Sequence, residues 1–206
     1  EVNMLNRHFD SSNNPDFIYA NAVLQNIDYA LISLNYIFNK SEFYSQDIYH
    51  NDHTYYFYYI QNTLTACGNI SNVFYNNSKW DNVDITQRCN RIRKKYGISK
   101  SQFKLVFFKE VRNTNEHFDE RYLEFNNNIG DLNLIYDNTD AYMRNTILTE
   151  HHLRTYDVSN HIYYTYNRKQ NLIVYDLLEL HDELIEMKNI IQNNPLTYTS
   201  WDDLDP

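Results

Sequence analysis

Six consecutive residues, Arg112-Asn113-Thr114-Asn115-Glu116-His117, place an arginine, a small amide and a histidine within about two helical turns. Arginine carries a planar, permanently charged fork that matches a phosphate. The amide and the imidazole can each reach the same kind of anionic group. No other stretch combines chemically capable side chains with a recognisable spacing. The chain has no glycine-rich phosphate loop, no Cys-x-x-Cys pair and no His-Glu-x-x-His run. Nucleotide chemistry of the P-loop kind is therefore excluded, and no metal or other cofactor is expected. His151-His152 with His161 and Glu150 is a weak metal candidate, because adjacent histidines on a strand point to opposite sides. The tyrosines Tyr55, Tyr56, Tyr58 and Tyr59 can stack on bases, but in a chain with 20 tyrosines core packing is the commoner use.

Placing these six residues on a helical wheel constrains what they can do. With Val111 at the origin, Phe107, Phe118, Tyr122 and Phe125 fall within about 40° of it and form an apolar stripe. Thr114 and Asn115 interrupt that stripe and need polar partners or water. Arg112 lies near 100° and His117 near 240°, so about 140° separates them on one helix. Asn113 precedes His117 by four residues and is its neighbour. Two copies related by a two-fold axis are expected to bring each arginine beside the other copy's histidine.

The elements that must carry this segment are mostly helical. Ile18, Ala22, Leu24, Ile27, Leu31, Leu34 and Phe38 recur at three- and four-residue steps, predicting a helix over about 15–39 that opens at Pro15. A second is expected over about 52–75, with Tyr56, Tyr59, Ile60, Leu64, Cys67, Ile70 and Phe74 on its face. Gly68 weakens it slightly and permits close packing. A basic helix over about 84–96 ends at Gly97. Ser99 or Ser101 is expected to cap a long helix carrying the motif to about residue 126. Leu153–Tyr156 and Ile162–Tyr166 read as a β-hairpin, extended by Leu172–Tyr175, within an accessory of about 151–175. A last helix over about 176–192 uses Leu177, Leu180, Leu184, Ile185 and Ile191. The expected fold class is mainly all-α: one helical-bundle domain over 1–206 with a long motif-bearing helix and a small β-hairpin before the last helix.

At 206 residues and a formal net charge of −9, the chain is a poor nonspecific binder of nucleic acid. Its charge is uneven, however. Residues 79–109 hold nine of the 18 basic residues and only two acids, Asp81 and Asp84. Arg88, Arg91, Arg93, Lys94 and Lys95 in this window can steer RNA to one face, or simply form a solvated helix face. Two cysteines, Cys67 and Cys89, are too few for a disulfide framework. No apolar run of membrane-spanning length and no signal peptide is seen, so a cytoplasmic protein without a membrane partner is expected.

Arg112, Asn113 and His117, late in a long helix of a helical bundle, resemble the signature of the HEPN superfamily. That signature is an arginine, often followed by Asn, Asp or His, with a histidine four to six residues after the arginine. The strand-like segment before a final helix is similar to the abortive-infection, toxin-like subgroup. The resemblance rests on six residues and, more loosely, on the helical pattern of the whole chain. It implies metal-independent endoribonuclease activity in a toxin–antitoxin or phage-defence system, with RNA as substrate, a homodimer as active unit and an antitoxin as partner. His117 is then the general acid or base at the ribose 2′-hydroxyl, Arg112 the phosphate ligand and Asn113 the residue that orients His117. A branch paired with a nucleotidyltransferase carries a tyrosine two residues after the histidine; here Asp119 stands there, so that route of inhibition is not implied. Two other readings stay open. One is a noncatalytic interaction or RNA-binding module of the same fold. The other is a structural helical protein in which Arg112, Glu116, Asp119, Glu120 and Arg121 form a solvated ionic face.

Overall fold

A computed structural model describes residues 15–42, 52–75, 83–116, 133–136 and 153–194. Among them the chain is mainly helical: α1 (Pro15–Glu42), α2 (Asp52–Phe74), α3 (Val83–Tyr96), α4 (Lys109–Glu116), strands β1 (Asn133–Tyr136), β2 (Arg154–Asp157), β3 (Ile162–Tyr166) and β4 (Leu172–Asp176), then α5 (Leu177–Asn193). The four strands form one sheet in sequence order. β2, β3 and β4 run antiparallel as the hairpin pattern predicts, and β1, which the sequence reading did not anticipate, adds parallel to β2.

The core is built on α1. Ala20, Val23, Ile27, Ala30, Leu34 and Ile37 are all buried, at alternating steps of three and four. They pack on α2 and α5, the two helices in closest association with α1. The expected α1 stripe was therefore only partly right. Ile27 and Leu34 lie in the core, whereas Ile18 is exposed and Ala22, Leu24, Leu31 and Phe38 are half-buried. The buried seam includes two small residues, Ala20 and Ala30, a composition suited to close helix packing. On α2, Tyr56, Ile60, Leu64, Cys67, Ile70 and Phe74 are buried as expected and Tyr59 is half-buried. On α5, Ile185 is exposed, and its expected place is taken by Met187.

A row of tyrosines joins sheet to helices. Tyr156, Tyr163 and Tyr175 are register partners across β2, β3 and β4 and are fully buried. Their rings meet Tyr56 and Phe57 of α2 and Phe108, with centroids 5.0, 6.4 and 6.2 Å apart. Burial pushes the Tyr163 hydroxyl up to about 12.

The β2–β3 turn is where the sequence placed it. Asp157 Oδ1 accepts from the backbone N–H of Ser159 and Asn160, at 3.0 and 3.2 Å. His161 closes the turn at φ 56°, its Nδ1 lying 2.7 Å from the Tyr156 hydroxyl and its ring 4.6 Å from that of Phe38. Burial lowers its pKa from 6.5, against the opposing pull of Asp157 and Asp176. The unfolded histidine therefore binds its proton first as pH falls. Stability should be fully present above 6.5 and decline as pH drops from there through the folded value. An NMR titration placing His161 at or above 6.5 would contradict this.

Candidate functional site

The segment before α4 decides how the motif is presented. Gly97 ends α3 at φ 66°, the left-handed conformation that glycine adopts without strain. The expected helix from Ser99 or Ser101 does not form. Residues 99–108 make isolated turns, such as Phe103 N–H to Ser99 O at 3.2 Å and Phe108 N–H to Leu105 O at 3.1 Å, and the helix begins at Lys109. The reason is tertiary. Glu183 of α5 accepts from the amides of Leu105 and Val106 at 3.0 and 2.9 Å, removing two donors that a helix needs. The Tyr175 hydroxyl donates to the Leu105 carbonyl at 2.8 Å. Burial raises the Glu183 pKa, although the amides of Val106, Leu105 and Lys104 work against it.

α4 is pinned on both sides. Val111 is buried, and α4 packs on α2 and β3. Thr114, the polar intruder in the apolar stripe, finds its partners: its Oγ1 is 2.9 Å from the Glu110 carbonyl and 3.2 Å from that of Tyr166 on β3. Asn167 Nδ2 donates to Glu110 Oε2 at 3.2 Å.

Arg112 is half-buried and crosses α2 at Gly68. A Cβ at that glycine would lie 2.6 Å from Arg112 Cδ, 3.3 Å from Nη1 and 3.4 Å from Nε. The glycine thus makes the seat in which the arginine lies. Its neighbour Cys67 is pushed up to about 12, by burial first, then by Glu183, with Arg112 pulling the other way. Arg112 and Glu183 therefore both act electrostatically on one turn of α2. Asn113 is half-buried beside Arg112 on the helix. His117 lies outside the described residues, as do Phe118, Tyr122 and Phe125 of the expected stripe.

The basic helix α3 is used largely by the fold. Arg91 forms a bidentate pair with Asp16 of α1, with contacts of 2.7 to 3.1 Å. Arg88 Nη2 donates to the Asn72 carbonyl at 3.3 Å, and its guanidinium lies 4.6 Å from the Tyr19 ring centre. Arg93 Nη1 donates to the Phe74 carbonyl at 3.0 Å and stacks on Tyr75 at 4.4 Å. Arg88 and Arg93 thereby satisfy carbonyls at the C-terminus of α2, where the helix dipole also favours cations. Lys94 is exposed and Lys95 half-buried. A shallow cavity of about 370 Å³ beside α3 is lined by Tyr19, Asp84, Arg88 and Arg91 among others.

No family model, curated protein or solved structure matches the chain. The site is therefore read from its own geometry. One of its parts, Glu183, escaped sequence reasoning, and another, Gly68, was read only in part. Glu183 carried a signal, since it stands between Leu180 and Leu184 on the buried face of α5. Gly68 was visible as a packing glycine, but nothing local to α2 names an arginine 44 positions away as its occupant.

Proposed function

We propose that the chain is a HEPN-like, metal-independent endoribonuclease of a toxin or phage-defence system. The seat of Arg112 on Gly68 is the observation that supports it. An arginine laid along a helix and half-removed from water has lost much of its rotamer freedom before any ligand arrives, which favours a fixed phosphate contact. In this reading His117 withdraws the proton from a ribose 2′-hydroxyl. The 2′-oxygen attacks the adjacent phosphorus, and the 5′-oxygen of the next nucleotide leaves with a proton. Arg112 neutralises charge gathering on the phosphoryl oxygens, and Asn113 orients the imidazole. The active unit is a homodimer, held in check by an antitoxin.

One observation favours a noncatalytic interaction module instead. Arg88, Arg91 and Arg93 are engaged with Tyr19, Asn72, Asp16 and Phe74, so much of the basic stretch serves the fold rather than an RNA surface.

The two readings part on one experiment. Wild type, His117→Ala and Arg112→Lys are expressed in parallel, and purified proteins are incubated with total RNA in excess chelator. Wild type should cut RNA, and His117→Ala should lose ~10²- to 10⁴-fold in rate with an unchanged circular dichroism spectrum. RNA left intact by wild type defeats the ribonuclease reading, and binding without cleavage supports the second.

A further inference from the structure

α1 carries two heptad seams rich in apolar residues, and among the described residues only one is buried. Opposite its buried seam, Ile18, Ala22, Gln25, Tyr29, Ile32 and Tyr36 follow one another at steps of four, three, four, three and four. That is the spacing of a coiled-coil seam. Ile18, Tyr29, Ile32 and Tyr36 are 54, 53, 52 and 50% exposed. Isolated exposed apolar residues are ordinary, but a heptad stripe interrupted only by Gln25, on a helix already buried on its other side, has the spacing of a second packing face.

The charge on this face narrows the partner. Asp28 is the sole charged side chain between residues 17 and 39, and no charged side chain occurs from 54 to 74 on the adjoining α2. Asp28 is itself neutralised by Lys188 Nζ of α5 at 2.7 Å. A strongly charged partner finds nothing to pair with here. A second copy of a chain whose net charge is −9 meets no like-charge repulsion at this face.

The stripe is also complementary to itself. In an antiparallel pair with the two-fold axis level with residue 27, Ile18 faces the partner's Tyr36, Ala22 faces the partner's Ile32, and Gln25 faces the partner's Tyr29. Small meets large, and an amide meets a phenol. Gln25 Nε2 already donates to the Tyr29 hydroxyl of its own helix at 2.7 Å, so the same hydrogen bond can be made across the axis. Beside the stripe, a groove of about 390 Å³ between α1 and α2, lined by Tyr29, Ile32, Tyr58 and Asn62 among others, gives incoming side chains a hole to enter.

We infer that the chain forms an isologous homodimer through antiparallel pairing of α1 with the α1 of a second copy. This does not rest on the ribonuclease reading: failure of RNA cleavage leaves it untouched, a dimer paired through α4 overturns it while keeping the homodimer of that reading, and a monomer removes both dimers while leaving the Arg112 seat in place.

Analytical ultracentrifugation of the full chain over a concentration series tests it. Wild type should sediment as a dimer. Ile32→Glu should weaken association by ~100-fold or more, because each dimer then buries two uncompensated carboxylates, and should leave the melting temperature of the monomer unchanged. Tyr29→Lys serves as a second disrupting variant. Register is read by oxidising Ala22→Cys and Ile32→Cys proteins, alone and mixed. A cross-link should form only in the mixture, since like positions lie ten residues apart along the axis, about 15 Å. Cys67 and Cys89 are buried and do not compete. A monomeric wild type overturns the inference. So does a dimer indifferent to Ile32→Glu and Tyr29→Lys, which would pair elsewhere, through α4 for instance, or a cross-link within either cysteine variant alone.

Discussion

Glu183→Leu should lower stability by about 3 kcal/mol or more, the largest loss expected from one substitution here. The carboxylate is buried and accepts two amides, Leu105 N–H and Val106 N–H. Leucine fills the volume but leaves both donors unpaired, and an unpaired buried donor costs about 1 to 3 kcal/mol. Glu183→Gln keeps one acceptor oxygen and should cost far less. The two variants also separate the charge from the hydrogen bonds. Because burial raises the Glu183 pKa above 4.5, the native state holds the proton more tightly than the unfolded one. Its contribution is fully present below 4.5 and is lost as pH rises through the folded value. Glu183→Gln should abolish that part of the slope. Urea unfolding of the three proteins at several pH values measures both effects. Equal stability of wild type and Glu183→Leu would mean that the 99–108 turns do not depend on this strut.

Gly68→Ala should act on the site more than on the fold. On a bare helix, alanine in place of glycine stabilises by about 0.5 to 1 kcal/mol. Here the added Cβ lands 2.6 Å from Arg112 Cδ, so the arginine must leave its seat. The two effects oppose each other, and the net change in stability should be small. Cleavage, in the proposed function, should fall by ~10²-fold as the guanidinium loses its fixed position. A double-mutant cycle makes the point independent of activity. In an Arg112→Ala background the clash is gone, and Gly68→Ala should then give its full helix-propensity gain. Additive effects of the two substitutions would show that the arginine does not lie on this glycine in solution.

How much of this was readable beforehand differs by level. The helices α1, α2, α3 and α5 and the strands β2 to β4 follow from local signals: periodicity, Gly97 after α3, Asp157 and Asn167 in the turns. Asp176 caps α5 by accepting from Leu178 and Glu179 at 2.9 and 3.0 Å, again a local device. β1 was missed because four residues pairing in parallel with a strand some twenty positions later leave no local trace.

The sequence alone determined that the chain is mainly helical, that its β segment precedes the last helix, and that Arg112 and Asn113 share a helix. Those outcomes depend on interactions within a few residues, which spacing records directly. Only the tertiary structure decided which of two heptad seams on α1 faces inward, where the motif helix begins and what lies beneath Arg112. Each depends on groups brought from far along the chain: the packing of α2 and α5 on α1, the Glu183 carboxylate taking amides from a would-be helix, and a missing side chain at Gly68. A helical repeat states that a face is apolar. Which partner covers that face, and which donor a distant acid removes, is settled by packing.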